Sequence, residues 1–465
     1  MSAVPDPTTL ADLFEPSSRS EWLALVEKTL KGASVDSLES RTADGLPLKP
    51  LYAADDAPSP APQLCTPGGW DIRAEVPRGP DSNTLALEAL AGGATSLLID
   101  ATDGGERLEL TLEGVVTEIA RVALDAGFAG PTAARALDAT AKASPGALLA
   151  FHLDPLSAFA REGVSPSSME AELDDVAALA ARLAETYPKA SLFLASGVAV
   201  HEGGGTPAAE IAFAAAAAVT YARALTRAGL PMAEVWSRII LGLSADAEPI
   251  VSIAKLRAAR RVWNRITQAC ETPVSAQIEA RASRRMLTIA DYWTNLVRLT
   301  TAAFSGAVGG ADALVLGAFT NPLGAPPESL ARRQSRNTQL ILREEAKLGA
   351  AADPAFGSWA LEAQTDSLAH AAWDRFVAIE REGGLVAALK SGAISADVER
   401  ARADLAATLA QGARRIVGVT DFKSGDPPAA PRPPAREQAS VYALSERSGD
   451  HCPALTPIRL EDLVA

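Results

Sequence analysis

The feature that most constrains this chain is an alternation. Between about residues 70 and 415 a short apolar run is followed by a longer helical stretch, again and again. The runs are ATSLLIDA, GALLAFHLD, SLFLASGVA, RIILGLSAD, AQIEARAS and DALVLGAF. The stretches between them include SSMEAELDDVAALAARLAETY and AEPIVSIAKLRAARRVWNRITQ. Strands that alternate with helices pair in parallel through right-handed crossovers. Six runs are clear, and the spacing leaves room for two more, near 130–137 and 350–353. Eight such units predict a (β/α)8 TIM barrel over 70–415. An open doubly wound sheet fits less well, because ATDGGERLEL is not the G-x-G-x-x-G phosphate turn.

Both flanks differ from this pattern. Residues 1–69 read as an arm and linker: one amphipathic helix around SEWLALVEKTLKG, a piece kept extended by Pro47 and Pro50, then the Pro-rich DDAPSPAPQLCTPGG. Residues 416–465, with SGDPPAAPRPPAREQ, predict an extended tail that lies on another surface or stays mobile. The start carries no basic stretch followed by an apolar one, as a secretory leader would. The run AAEIAFAAAAAVTYARAL holds Glu210 and Arg223 and reads as a buried helix rather than a membrane span.

Charge and cysteine usage narrow the partners. With 43 basic and 57 acidic residues the formal charge is −14, which argues against nucleic acid or an anionic membrane. Cys65, Cys270 and Cys452 are odd in number and far apart, which fits a reducing cytoplasm and neither a disulfide framework nor a zinc site. His451 beside Cys452, with no second pair, is weak grounds for a metal, and none is expected.

In a barrel, chemistry sits at the C-terminal ends of the strands. The candidates there are Asp100, Asp103, His152, Asp154, His201, Glu202, Asp246, Arg281, Arg284 and Arg285. The aspartates also suit helix caps and turns, and His152 suits a half-buried strand position. ASGVAVHEGGGT (195–206) sets His201 beside Glu202 in a Gly-rich loop, the outward form of an acid/base pair. Arg284 and Arg285 suit either a phosphate or a plug that pairs with carboxylates at the barrel mouth.

Several segments resemble one family, the adenosylcobalamin-dependent acyl-CoA mutases, methylmalonyl-CoA mutase in particular. TADGLPLKPLY (42–52) is similar to the family's T-x-D-G-x-x-x-x-P-L-Y, and GGWDIRAE (68–75) to its W-x-I-R turn. IAKLRAARRVWNRI (253–266) matches a family helix, ARRQSRNTQLILREE (331–345) its R-N-T-Q-x-x-L-x-E-E, and AWDRFVAIEREGG (372–384) its A-W-x-x-F-x-x-I-E-x-x-G-G. The resemblance spans about residues 20–420 and implies a (β/α)8 barrel.

Departures from the family pattern carry the functional expectation. Where catalytic members read S-G-Y-H-x-Q-E, this chain has Ser196, Gly197, Val198, Ala199, Val200, His201 and Glu202. The family's substrate-contacting Tyr and His thus correspond to Val198 and Ala199, and His201 falls on its Gln. If the strand continued here, His201 would lie on the same side as Ala199, two residues on. The family's R-x-Y-A-G tyrosine corresponds to Glu75, and its T-S-G-W-S-L-T is Ala282 to Thr288 with Arg284 and Arg285 replacing Gly and Trp. No histidine lies in the cobalt-ligating D-x-H-x-x-G pattern. The resemblance therefore implies a small, non-catalytic subunit with no cobalamin-binding domain, no catalytic residue, and no bound cofactor. Arg284, Arg285 and His201 would be vestigial acyl-CoA or barrel-plugging residues, and adenosylcobalamin would sit on a large, catalytic subunit. The alternative is a catalytic acyl-CoA mutase barrel served by a separate cobalamin subunit, which should keep Tyr and His at 198 and 199.

Overall fold

A computed structural model describes residues 17–58, 69–324, 328–423 and 448–464. The Pro-rich stretches 59–68 and 424–447 lie outside the described residues.

Eight parallel strands close into a barrel: β1 Asp71–Val76, β2 Ser96–Asp100, β3 Arg121–Asp125, β4 Leu149–Leu153, β5 Ser191–Ser196, β6 Ile239–Ala245, β7 Ile278–Ala282 and β8 Ala313–Val315. The ring closes by β8 pairing with both β1 and β7. All six apolar runs are strands. The two expected near 130–137 and 350–353 are not: the first lies in the helix Gly130–Ala141, the second in a short 3-10 turn and the residues after it. Their places are taken by DIRAEV (β1) and RVALD (β3). DIRAEV alternates charged and apolar residues, which a fully buried parallel strand does not ordinarily do, and RVALD is a three-residue apolar run with a charge at each end.

Helices coat the barrel. The longest apolar one, Pro207–Arg227, has the length and composition to cross a membrane, yet most of it is buried inside the protein. Its alanines let it pack closely on β5 and β6, and Phe193 of β5 stacks on its Tyr221 at 4.5 Å. The helix Trp359–Arg381 lies over Pro207–Arg227 and Pro249–Ala269 and forms a second layer. Buried Arg257 pins that layer by pairing with Asp353 and Glu362.

The N-terminal arm rests on this second layer. Gln364 donates to the Pro47 carbonyl at 2.6 Å and to the Tyr52 hydroxyl at 2.9 Å, and Asp44 accepts from the amide of Ala208 at 3.1 Å. The arm's own helix, Arg19–Thr29, starts with a capping box at Ser18 and Glu21 but buries no residue.

The end of the chain returns across the barrel's C-terminal mouth. Cys452 N donates to Gly163 O at 2.8 Å, Leu455 N to Ala160 O at 2.7 Å, Ile458 N to Glu202 O at 2.8 Å and Leu460 N to Arg285 O at 2.8 Å. Leu455, Ile458 and Leu460 are buried. Residues 448–464 thus form a strap running from the segment after β4, past β5, to the loop after β7.

Candidate functional site

Side chains of non-adjacent strands can touch only through the barrel's interior. Among the described residues a first link, Arg121 of β3 lying 3.6 Å from Asp71 of β1, sits at the barrel's N-terminal end, and four more follow above it. Arg73 of β1 pairs with Glu279 of β7, and both are buried. His152 of β4 places Nε2 3.7 Å from the Glu279 carboxylate. Arg281 of β7 reaches Asp125 of β3, directly across the ring, at 3.1 Å. Arg284, just beyond β7, pairs with Glu75 of β1 at 3.0 Å. Arg281 also donates to Glu279 at 2.7 Å, so the links form one ladder up the axis. A ligand entering along this axis would meet those charged pairs.

His152 reaches the axis by a backbone irregularity. The pairing of β4 with β5 slips between Ala150 and Leu153, and His152 adopts φ +47°. A bulge re-aims a side chain and leaves its residue in the left-handed region. Its Nδ1 donates to the Leu124 carbonyl at 3.2 Å, while buried Nε2 has no hydrogen-bond partner. Burial lowers its pKa to about 4, outweighing the pull of Glu279. Burial alone would raise Glu279, but Arg281, His152 and Arg73 hold its carboxyl well below the usual range.

A pH prediction follows from His152. Below the imidazole's ordinary pKa near 6.5 the unfolded chain takes up a proton that the folded chain refuses until about pH 4. Stability is therefore fully present above pH 6.5 and falls on acidification, by at most about 1.4 kcal/mol per pH unit. Asp154 acts in the opposite sense, because burial raises its pKa to about 6. We expect His152→Asn, which tolerates positive φ, to flatten the acid loss between pH 6.5 and 4. Urea unfolding at pH 7.5 and 5.0 measures it, and an unchanged difference between wild type and variant would refute it.

A second cluster lies behind the loop after β5. Val198–Glu202 is one helical turn, not a continuing strand. Successive residues therefore point about 100° apart, and Ala199 and His201 diverge rather than share a side. Gly197 is required at its start, since a Cβ there would meet the Glu210 carbonyl oxygen at 2.2 Å. His201 is buried, shares a 2.8 Å hydrogen bond through Nε2 with Ser283 Oγ, and has Nδ1 3.5 Å from Glu210. Glu210 in turn accepts from Lys255 at 2.6 Å and from the hydroxyl of Ser244 at 2.9 Å. Burial, with Arg285 and Lys255 nearby, holds the His201 pKa well below its ordinary value, so the ring is neutral. Glu202 does not pair with His201; its carboxylate accepts the Arg284 amide at 2.9 Å.

The remaining candidates serve turns and caps. Asp100 accepts from Thr102 and Asp103 from the Gly105 amide. Asp154 caps the helix Pro155–Glu162 and accepts from Tyr221. Asp246 accepts from the amide of Ala247 at 2.6 Å and lies 3.6 Å from Arg285. Arg285 donates to the carbonyls of His201 and Gly205 at 2.9 and 3.1 Å. Both Arg284 and Arg285 thus face carboxylates of this same chain. Sequence reasoning missed Arg73, Asp125, Glu279, Glu210 and Lys255. The alternation of charged residues along DIRAEV was the signal that could have found the first.

Fold and mouth together define a (β/α)8 barrel whose axis is filled by its own charged side chains. The family model described as methylmalonyl-CoA mutase matches residues 140–446. The methylmalonyl-CoA mutase small subunit of Streptomyces virginiae is 36% identical over 472 residues, covering 94% of this chain and 75% of the relative. The small subunit of Propionibacterium freudenreichii subsp. shermanii is 30% identical, covering 95% and 75%. The methylmalonyl-CoA mutase of Escherichia coli is 27% identical, covering 88% and 64%. This chain belongs to the methylmalonyl-CoA mutase family, and its relatives include the small subunits of that enzyme.

Proposed function

We propose that this chain is the small, non-catalytic subunit of a heterodimeric, adenosylcobalamin-dependent methylmalonyl-CoA mutase. The large subunit would carry the cofactor and the isomerisation of methylmalonyl-CoA to succinyl-CoA. The observation that supports this most is the ladder Glu75–Arg284, Asp125–Arg281–Glu279 and Arg73 along the barrel axis. An acyl-CoA threaded there would have to displace paired, partly buried charges. Val198 and Ala199 offer a thioester carbonyl no hydrogen-bond donor, and Glu75 would set a carboxylate where the family has a Tyr.

The residues present do not fit adenosylcobalamin either. Of the four histidines, His152 and His201 are buried in the clusters above. His370, itself exposed, bonds back to the Asp366 carbonyl of its own helix, and His451 lies in the strap. His152 and His201 already face protein partners, and the strap crosses part of the mouth. The unburied helix Arg19–Thr29 supports a chain that completes itself on a partner.

Co-expression with the large subunit followed by a tagged pull-down tests the reading. A stable complex is expected, with an interface above roughly 2,000 Å² as obligate pairs show. A monodisperse monomer that ignores the large subunit in sedimentation would count against it, as would a saturable absorbance shift of adenosylcobalamin titrated with this chain alone.

The same complex tests His201. We expect His201→Ala to leave holoenzyme turnover within about threefold, whereas losing a true acid/base residue costs roughly 10²–10⁴-fold. Val198→Tyr with Ala199→His should not give the isolated chain any activity, because Glu75 and the axial ladder remain. A hundredfold loss in the first, or adenosylcobalamin-dependent turnover in the second, would contradict the assignment.

A further inference from the structure

We infer that the large subunit docks on one composite apolar face, made by the loop and helix after β7, the turn at 416–423 and the very end of the strap. This inference rests on the small-subunit reading. Six large apolar side chains lie there, contributed by three separate segments: Ile289, Trp293, Val297, Val417, Phe422 and Val464. Trp293 is 49% exposed, Val297 66% and Phe422 80%.

Contacts make these one face. Arg298 donates to the Val417 carbonyl at 2.7 Å, which fixes the turn to the helix Asn295–Val308. Gly418 packs so close to Asp291 that a Cβ would fall 2.7 Å from it. The Glu461 carboxylate accepts from the Ile289 amide at 2.9 Å, and the Val464 amide donates to the Glu461 carbonyl at 3.3 Å. The Trp293 ring is held by Phe319 at 5.1 Å and Tyr292 at 5.2 Å, so it is exposed yet rigid.

The chemistry of the face selects its occupant. Scattered apolar residues are ordinary, but an exposed group of this size on a folded protein marks an interaction site. Acidic groups at its edge, Asp291, Asp462 and Glu461, together with a net charge of −14, disfavour an anionic lipid surface. An apolar centre with a fixed Trp and an edge carrying Arg298, Arg459 and Asp462 is the anatomy of a protein–protein interface. Its three-segment construction suits a folded surface better than a single extended peptide. A stable pair needs about 800 Å² from each partner, and six large apolar side chains supply the desolvated centre of such a footprint.

Val297→Asp and Phe422→Asp test the inference, with Ile119→Asp, equally exposed but far in sequence from this face, as control. Binding to the cognate large subunit is measured by calorimetry. Each face variant is expected to weaken it at least about thirtyfold, and the control to change it less than threefold. Oxidative footprinting of the wild-type pair needs no variant, and Trp293 and Phe422 should become protected on complex formation. Full binding by both face variants, or unprotected Trp293 and Phe422 in a complex that does form, overturns this inference and leaves the small-subunit reading standing. Absence of any complex with the wild-type chain instead defeats that reading. Self-association of the wild-type chain that Val297→Asp abolishes would overturn it too, by assigning the face to a second copy.

Discussion

Replacing Glu279 with Ala is expected to cost about 3–5 kcal/mol of folding stability, the loss typical when one partner leaves a buried charge pair. Glu279 is buried and shared between Arg73 and the Nε of Arg281, the latter at 2.7 Å. Without it Arg73 keeps only Ser96 Oγ at 3.1 Å and a more distant Asp71 at 3.6 Å. An under-compensated guanidinium then sits on the barrel axis, where no water shell replaces the lost carboxylate. Removing the second charge should restore much of the loss, because replacing a buried pair by apolar groups is often close to neutral. Urea denaturation of Glu279→Ala, Arg73→Leu and the double variant forms a cycle that isolates the coupling. A single-variant loss below 1 kcal/mol, or simple additivity in the double, would show that the ladder does not hold the barrel.

The same ladder explains what was legible in the sequence. Six strands were visible by hydropathy, five of them as nearly unbroken apolar runs and β7 despite Glu279 and Arg281. β1 and β3 were not, because Arg73 and Glu75 interrupt the first while Arg121 and Asp125 bound the second. Those charges make sense only once the interior is known to be salted rather than oily. The helical turn at 198–202 is not legible in the sequence, because Gly197 and the Glu210 carbonyl that crowds it lie 13 residues apart in the chain. His201 and Glu202 looked paired because they are adjacent. In a helical turn adjacency separates side chains, and each found its partner 82 residues away, Ser283 and Arg284. The Arg pair was recognised as a plug or an anion site, and only the register that brings Glu75 and Asp246 beside it shows which carboxylates it meets.

Ending the chain at residue 447 is expected to leave the barrel folded but to speed amide exchange at Ile289 and Ala290 by roughly a hundredfold. The Glu461 carboxylate accepts from Ile289 N at 2.9 and 3.0 Å and from Ala290 N at 3.3 Å. Hydrogen bonds to a charged acceptor contribute about 1.5–3 kcal/mol, and their loss appears directly as local opening. The strap is anchored independently of the barrel strands, by Leu455, Ile458 and Leu460 beneath it and by Asp450, which pairs with Lys390 and accepts from the Met169 amide at 2.8 Å. Its removal therefore frees the loop after β7 while the β-ladders themselves keep every bond. Amides of β6 and β7, such as Leu241 N on Gln277 O at 2.9 Å, should keep their protection. Uniform loss of protection across the barrel would mean the strap is part of the cooperative core, and unchanged exchange at 289 and 290 would mean Glu461 does not hold the loop. Hydrogen–deuterium exchange by mass spectrometry separates the three outcomes. The expected one has a consequence for assembly, because the loop released by truncation carries Ile289 and leads into Trp293, so the strap orders the face on which a partner would dock.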